Sequence, residues 1–320
     1  MSVDPFSNDR TIGTLQLLEM YREALDRLRS FGLRCHAQDR LHDYARTIER
    51  LGPRDHGKLL VDERKSLANA LGEASIFVDV ASLPDEYLSA VRKKMPLLNA
   101  GPVWEDIARA DRARDTASEL QFAARCATTG HLGAPATTRG DVLVRAAGAE
   151  YPTEVKRISS IGRIRQRVKE AMAQLEPKGD DPSGVIVLDV GACMRRRFGF
   201  VHSTNAEAFT DIAYGQLISF ARHCVISVLE RGDVLSRLGV LGLIVRSVAF
   251  GWVDDCEQVR RSIVTLAMPV VAEGSNEDLL FRGIAQSLEV AEFVEETDDG
   301  VRDAVEAFPL ALPGRHRSPP

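Results

Sequence analysis

The sequence predicts a mixed α/β (α+β) protein: a mixed β-sheet core flanked by helices and preceded by an all-helical N-terminal segment. Three observations predict it. Apolar residues recur at intervals of three and four through the first hundred positions, the spacing of helices that bury one stripe. Two strand-like runs flank Ala147-Gly148, as in a hairpin. The apolar run Val185-Ile186-Val187-Leu188 reads as a buried strand.

Taken in order, Ile12, Leu15, Leu18, Tyr21, Leu25 and Leu28 predict a first helix, and Leu41, Tyr44, Ile48 and Leu51 a second, stopped by Gly52-Pro53. A third helix is expected at about 58–71. The stretch Ser75-Ile76-Phe77-Val78-Asp79-Val80-Ala81 fits a short strand and a buried helix end equally well. Pro84 suits the first turn of another helix. Residues 96–102, with a proline at each end, mark the expected boundary. They separate a helical domain, 1–100, from a sheet domain, 101–272. Residues 273–320 are expected to form a last helix and a frayed tail. Inside the sheet domain an Ala-rich helix is predicted at 104–128 and strands at 141–145 and 151–157. Ile161, Ile164, Val168, Ala171, Met172 and Leu175 predict the next helix, and 185–190 a strand. A helix at 206–230 with Asn205 as its cap, strands at 241–252 and 263–271, and a helix at 276–290 complete the series. No strand is evident between Gly130 and Arg139.

Composition excludes several classes. The 320 residues are 44% apolar and 27% charged with a net charge of −5, which argues for a globular chain and against one that coats nucleic acid by bulk charge. Five scattered cysteines without a CxxC pair exclude a disulfide framework or zinc finger and point to a reducing cytoplasm. The apolar run 238–245 is closed by Arg246 and is under half of a membrane span. Residues 1–10 lack the apolar core of a secretion signal. No membrane association is therefore expected. Neither a Walker loop nor a GxGxxG is present, and His36, His42, His131, His202 and His223 lack ligand spacing.

The chemistry lies in the hairpin. A turn centred between Ala147 and Gly148 pairs residues so that Asp141 stands opposite Glu154. Strand alternation puts Lys156 on the face of Glu154 and turns Val155 away. Two neighbouring carboxylates repel, so they want a divalent cation or a raised pKa. A hard oxygen site with water and substrate completing the shell suits Mg²⁺, and an adjacent lysine can offset developing charge. That is chemistry for phosphodiester hydrolysis. Glu-x-Lys occurs three times, at 63–65, 154–156 and 176–178, but only the second copy lies in a strand with an Asp across a turn. Lys156 is also one of seven lysines in a chain that otherwise uses Arg, and lysine is the more compact donor. The alternative for Asp141, Glu154 and Lys156 is a cross-strand ion pair on a solvated sheet face.

With Gly140-Asp141 and Glu154-Val155-Lys156 in place, residues 104–190 resemble the PD-(D/E)XK nuclease superfamily, the restriction-endonuclease-like fold. The resemblance implies a core of helix, three-stranded antiparallel unit, helix and strand. It implies Mg²⁺ or Mn²⁺ on Asp141, Glu154 and the Val155 carbonyl, with Lys156 positioning the hydrolytic water and a 5′-phosphate product. Members with an additional Glu on the first helix suggest Glu119, 22 residues before Asp141, as a further catalytic or metal-binding residue. The family's proline is replaced by Gly140. Pro152 lies inside the Glu-x-Lys strand, where a missing donor suggests an edge or a bulge.

The next helix groups Arg163, Arg167 and Gln174 on one face, with Arg157, Arg165 and Lys169 nearby. These residues are expected to contact nucleic acid, unless the face is simply solvated. RecB-type relatives place a functional Gln on this helix, which Gln174 or Gln166 would match. Arg195-Arg196-Arg197 is either a second phosphate contact or a basic loop. The expected activity is a metal-dependent nuclease, on DNA sooner than RNA, in defence or repair. A catalytically inactive nucleic-acid-binding or scaffold protein on the same fold remains the rival. Duplex cutting asks for two sites, so a homodimer is an open expectation, as is a protein partner bound through residues 1–100.

Overall fold

The computed structural model describes residues 9–11, 13–36, 39–55, 58–101, 111–135, 139–146, 148–176, 183–230, 240–255, 258–288 and 292–293. Strand β1 (Asp9–Thr11) leads into α1 (Thr14–Ser30), α2 (Arg40–Leu51), α3 (Val61–Ala81) and α4 (Asp85–Ala90), followed by a short 3₁₀-helix, Arg92–Asn99. The ambiguous segment 75–81 is the buried end of α3, whose Leu71, Ala74, Phe77 and Val80 sit in the core. Pro84 is the N-terminal cap of α4. Beyond it come α5 (Arg112–Thr128), β2 (Leu132–Pro135), β3 (Val142–Ala146), β4 (Ala149–Arg157), α6 (Ile164–Leu175) and β5 (Val185–Asp189). The rest is α7 (Gly191–Phe198), β6 (Val201–Ser203), α8 (Ala206–Phe220), α9 (Ser227–Glu230), β7 (Gly242–Val253), β8 (Gln258–Pro269), α10 (Asn276–Ser287) and β9 (Glu292–Phe293). A π-helical turn, Ala221–Ile226, joins α8 to α9.

The strands form one mixed sheet in the order β1-β8-β7-β5-β4-β3-β2, with β6 beside β7 and β9 beside β8. The long β7 accepts β5 along Gly242 to Arg246 and β6 along Gly251 to Val253. β2, β3 and β4 are antiparallel, whereas β4, β5 and β7 are parallel. Every residue of β5 is buried. Val185 and Val187 point into one apolar cluster, Ile186 and Leu188 into the other, as a strand covered on both faces requires. One cluster joins α1, α2, α3, α5 and α10 to the sheet, and the other holds α6 and α8 against its opposite face.

Several expectations change. The first hundred residues are not wholly helical, because β1 pairs with β8. Nor does the expected boundary at 96–102 coincide with a gap in packing, since α3 lies against both α5 and β7 and shares their apolar cluster. Helix α6 buries Ile164, Val168, Ala171 and Leu175, but Ile161 is exposed before its first turn. β2 supplies the strand that residues 130–139 did not reveal. It is only four residues long and holds Gly133 and Pro135, so it carries almost no propensity signal. Asn205 caps α8 by accepting from Ala208 N at 2.8 Å. The start of the helix expected at 104, the lysine of the third Glu-x-Lys and the tail at 313–320 lie outside the described residues.

The 25-residue stretch Ala206–Glu230 is long and apolar enough to cross a membrane, an 18-residue window of it having mean hydropathy 1.3. It is the one such helix among the described residues. Its Phe209, Ala213, Leu217, Phe220, Val225 and Leu229 are buried in this fold, while Ile212, Ile218, Ile226 and Val228 are half-buried.

Candidate active site

The β3–β4 hairpin takes the register expected from its turn. Val142 stands opposite Thr153 and Leu143 opposite Pro152, which carries Asp141 to the level of Glu154. Two glycines make the geometry. Gly148, at φ 78°, sits in the turn, and Gly140, at φ 70°, swings the chain into Asp141. A Cβ on Gly140 would lie 2.8 Å from the Thr153 carbonyl oxygen, the carbonyl that accepts from Asp141 N at 2.9 Å. Glycine stands here because the backbone passes too close for any side chain.

Pro152 does not mark an edge strand. β4 lies between β3 and β5, and its pairing with β5 begins one residue later, at Thr153. The missing proline N–H therefore falls where that side of β4 has no ladder to complete.

Asp141, Glu154 and Lys156 come together. Asp141 Oδ2 accepts from Val155 N at 3.0 Å, and Asp141 lies close enough to act on the Glu154 carboxyl. Lys156 Nζ donates to Glu154 Oε1, and to Gln174 Oε1 of α6 at 2.6 Å. Glu154 is 1% exposed and Lys156 9%. That burial takes the Lys156–Glu154 pair off the solvated sheet face, since charged groups are buried this deeply only when they are paired. Burial first, and then the neighbouring Asp141, push the Glu154 carboxyl up to about 8 against the opposing pull of Lys156. The Glu154 carboxyl is therefore the group of this corner that holds its proton towards neutral pH.

A pH dependence follows. A folded pKa above the unfolded value of about 4.3 means that the native state holds the extra proton. The associated stability is full below the unfolded pKa and drains as pH rises towards 8. Urea titrations without divalent ions should show stability falling from pH 5 to pH 8, and Glu154→Gln should flatten that slope. An unchanged slope in the variant would assign the proton elsewhere.

Glu119 reaches the same corner from α5. Its carboxylate accepts from Lys94 Nζ at 2.9 Å, with side chains 17% and 41% exposed respectively. Burial and the nearby Asp141 raise the Glu119 pKa, while Lys94 and Lys156 oppose the shift. Burial works against the Lys94 ammonium, yet Glu119, with Asp141 and Glu154 behind it, raises its pKa. Lys94, on the 3₁₀-helix, was not anticipated. Its signal was present: Lys93-Lys94 are two of the seven lysines, the same rarity that marked Lys156.

The expected nucleic-acid contacts divide. Arg157 is 4% exposed and donates to Glu73 Oε1 of α3 at 2.9 Å; it belongs to the core, not to a phosphate. Arg167 is held by Asp115 at 2.5 Å and Glu170 at 3.1 Å. Gln174 faces Lys156 instead of a ligand, and Gln166 donates to Glu170. Arg165 and Lys169 are exposed and Arg163 half-buried. Arg195, Arg196 and Arg197 lie in α7, not in a loop; Arg195 joins Glu73 at 3.0 Å and Arg196 donates to the Ser159 carbonyl. Asp189, the last residue of β5, accepts from Ser118 Oγ at 2.6 Å and Gly191 N at 3.0 Å.

The donor set fits a hard divalent cation: two neighbouring carboxyl groups beside the Val155 backbone. The Val155 N–H points at Asp141, and its carbonyl leaves the strand on the same side. Among the described residues no three Asp, Glu, His or Cys side chains form a ready cage, so backbone, water and substrate would complete the shell. No family model, curated protein or solved structure matches this chain.

Proposed function

We propose that this protein is a metal-dependent nuclease that hydrolyses phosphodiester bonds, DNA in preference to RNA, on a restriction-endonuclease-like core. The observation that carries the reading is the Asp141–Glu154 carboxyl pair with Lys156 clamped beside it by Gln174. The order α5-β2-β3-β4-α6-β5, with an antiparallel unit followed by a helix and a parallel strand, supports it as the order that the resemblance implies.

Asp141, Glu154 and the Val155 carbonyl would hold Mg²⁺ or Mn²⁺. The bound ion supplies Lewis acidity against the scissile phosphate. Lys156 orients the attacking water, and its ammonium meets the negative charge that grows on the phosphoryl oxygens. Gln174 fixes that ammonium from the far side, which removes its freedom to fold back onto solvent. Lys169, Arg165 and Arg163 on and before α6 offer phosphate contacts along the approach. A cytoplasmic location follows from the cysteine usage and is part of this proposal.

The test is incubation with linear, circular, single-stranded and branched DNA and with RNA, each with Mg²⁺, Mn²⁺ or EDTA. Cleavage with either ion and none in EDTA is expected. Cutting that survives EDTA would sink the mechanism, and binding without cutting in every condition would favour the non-catalytic rival.

A further inference from the structure

Lys94 lies outside the unit that the nuclease reading describes, yet its ammonium is in the candidate site. The short helix Arg92–Asn99 delivers it to Glu119 at 2.9 Å. It is the more exposed partner, at 41% against 17%, so the ammonium is the more solvated end of the pair. Asp141 and Glu154 act on the same ammonium through space.

Charge counting gives this pair a consequence. Glu119, Asp141 and Glu154 contribute three carboxylates, and Lys94 and Lys156 two ammoniums. With all of them ionised, the state in which an ion would bind, the corner carries one negative charge. A divalent ion turns that into one positive charge, and a single phosphodiester brings it back to neutrality. Without Lys94 the ion alone would neutralise the corner.

We propose that Lys94 is a tethered counter-ion that occupies Glu119 and holds the free protein's divalent-ion affinity low, so that ion binding is completed by the substrate phosphate. The proposal rests on the nuclease reading of the same pocket and gives residues 1–100 a role there: they donate one of its charges. Glu119 then serves as the seat of Lys94, and the ion sits on Asp141 and Glu154.

The test is Mn²⁺ titration of the full chain by calorimetry, with no nucleic acid present. Lys94→Met should bind Mn²⁺ about tenfold more tightly than wild type, the scale of removing a unit charge several ångströms away in a partly solvated site. Lys94→Arg, which keeps the charge, should match wild type. Asp141→Asn should lose binding in either background. Lys94 is half in solvent, so neither substitution threatens the fold. Equal or weaker Mn²⁺ binding by Lys94→Met, with Asp141→Asn still abolishing it, overturns the counter-ion role and leaves the nuclease reading standing. Absence of Mn²⁺ binding by both wild type and Lys94→Met, or binding indifferent to Asp141→Asn, overturns both.

Discussion

Asp141→Asn and Lys156→Met variants should each lose cleavage by about a thousandfold, the scale of removing one pre-positioned charge from a phosphoryl-transfer site. The two substitutions keep shape and remove charge. Asparagine retains an oxygen that can accept from Val155 N, as Asp141 Oδ2 does at 3.0 Å, but offers a cation no net charge. Methionine keeps the stem of Lys156 and removes the donor that links Glu154 to Gln174. Stability separates a working site from a merely structural one. Asp141 presses on Glu154 as a like charge, so Asp141→Asn should leave the midpoint of urea unfolding unchanged or raise it while cleavage disappears. A site that gives up stability for activity behaves in that way. Lys156→Met strands buried acceptors on Gln174 and Glu154 and should cost about 1–3 kcal/mol for each, small enough to leave the chain folded. Wild-type cleavage in folded Asp141→Asn would end the case for hydrolysis at this corner.

The largest stability effect is expected at Glu73, remote from the proposed chemistry. Its carboxylate is 1% exposed and meets Arg157 at 2.9 Å, Arg195 at 3.0 Å and Arg114 at 3.3 Å, from β4, α7 and α5. Arg114 also donates to Tyr44 Oη at 2.7 Å, so the cluster ties α2 and α3 to the sheet. Glu73→Gln removes the negative charge that two buried guanidiniums and the partly buried Arg195 share, and should cost about 3–5 kcal/mol by urea unfolding. The exposed pair Arg22–Glu49, at 3.2 Å, is the control: Glu49→Gln should cost under about 1 kcal/mol. The pH dependence has the opposite sign to that of Glu154. Burial alone would raise the Glu73 pKa, but Arg157, Arg114, Arg195 and Arg40 together hold it well below the ordinary carboxylate range. Its stability is therefore complete above the unfolded pKa of about 4.3 and is lost as pH falls below that towards the folded value. Acid unfolding of wild type should steepen there, and the Gln variant should lack that component. A cost below 1 kcal/mol for Glu73→Gln would mean that the guanidiniums satisfy one another's surroundings without it.

What could be read in the residues was whatever depends on near neighbours. The stripe of α1 from Leu18 to Leu28 (Leu15, expected in it, is exposed, and Ile12 lies outside the described residues), the cap at Asn205, the turn at Gly148 and the continuous apolar run of β5 are local patterns, each fixed by backbone sterics or a short period. The facing of Asp141 and Glu154 also falls in this group, because a tight hairpin converts sequence distance into spatial register without help from the rest of the chain. Arg157 shows where that logic stops. A basic residue after Glu-x-Lys looks like a phosphate contact until a helix 84 positions earlier supplies the carboxylate that buries it. Lys94 and Glu119 are 25 residues apart, and nothing in either segment specifies the other. Strand order, the sharing of one apolar cluster by the first hundred residues and the sheet, and the second ammonium at the carboxyl corner were settled by packing. Burial and charge pairing are properties of the assembled interior, and a linear pattern holds them only where the chain returns to itself at once.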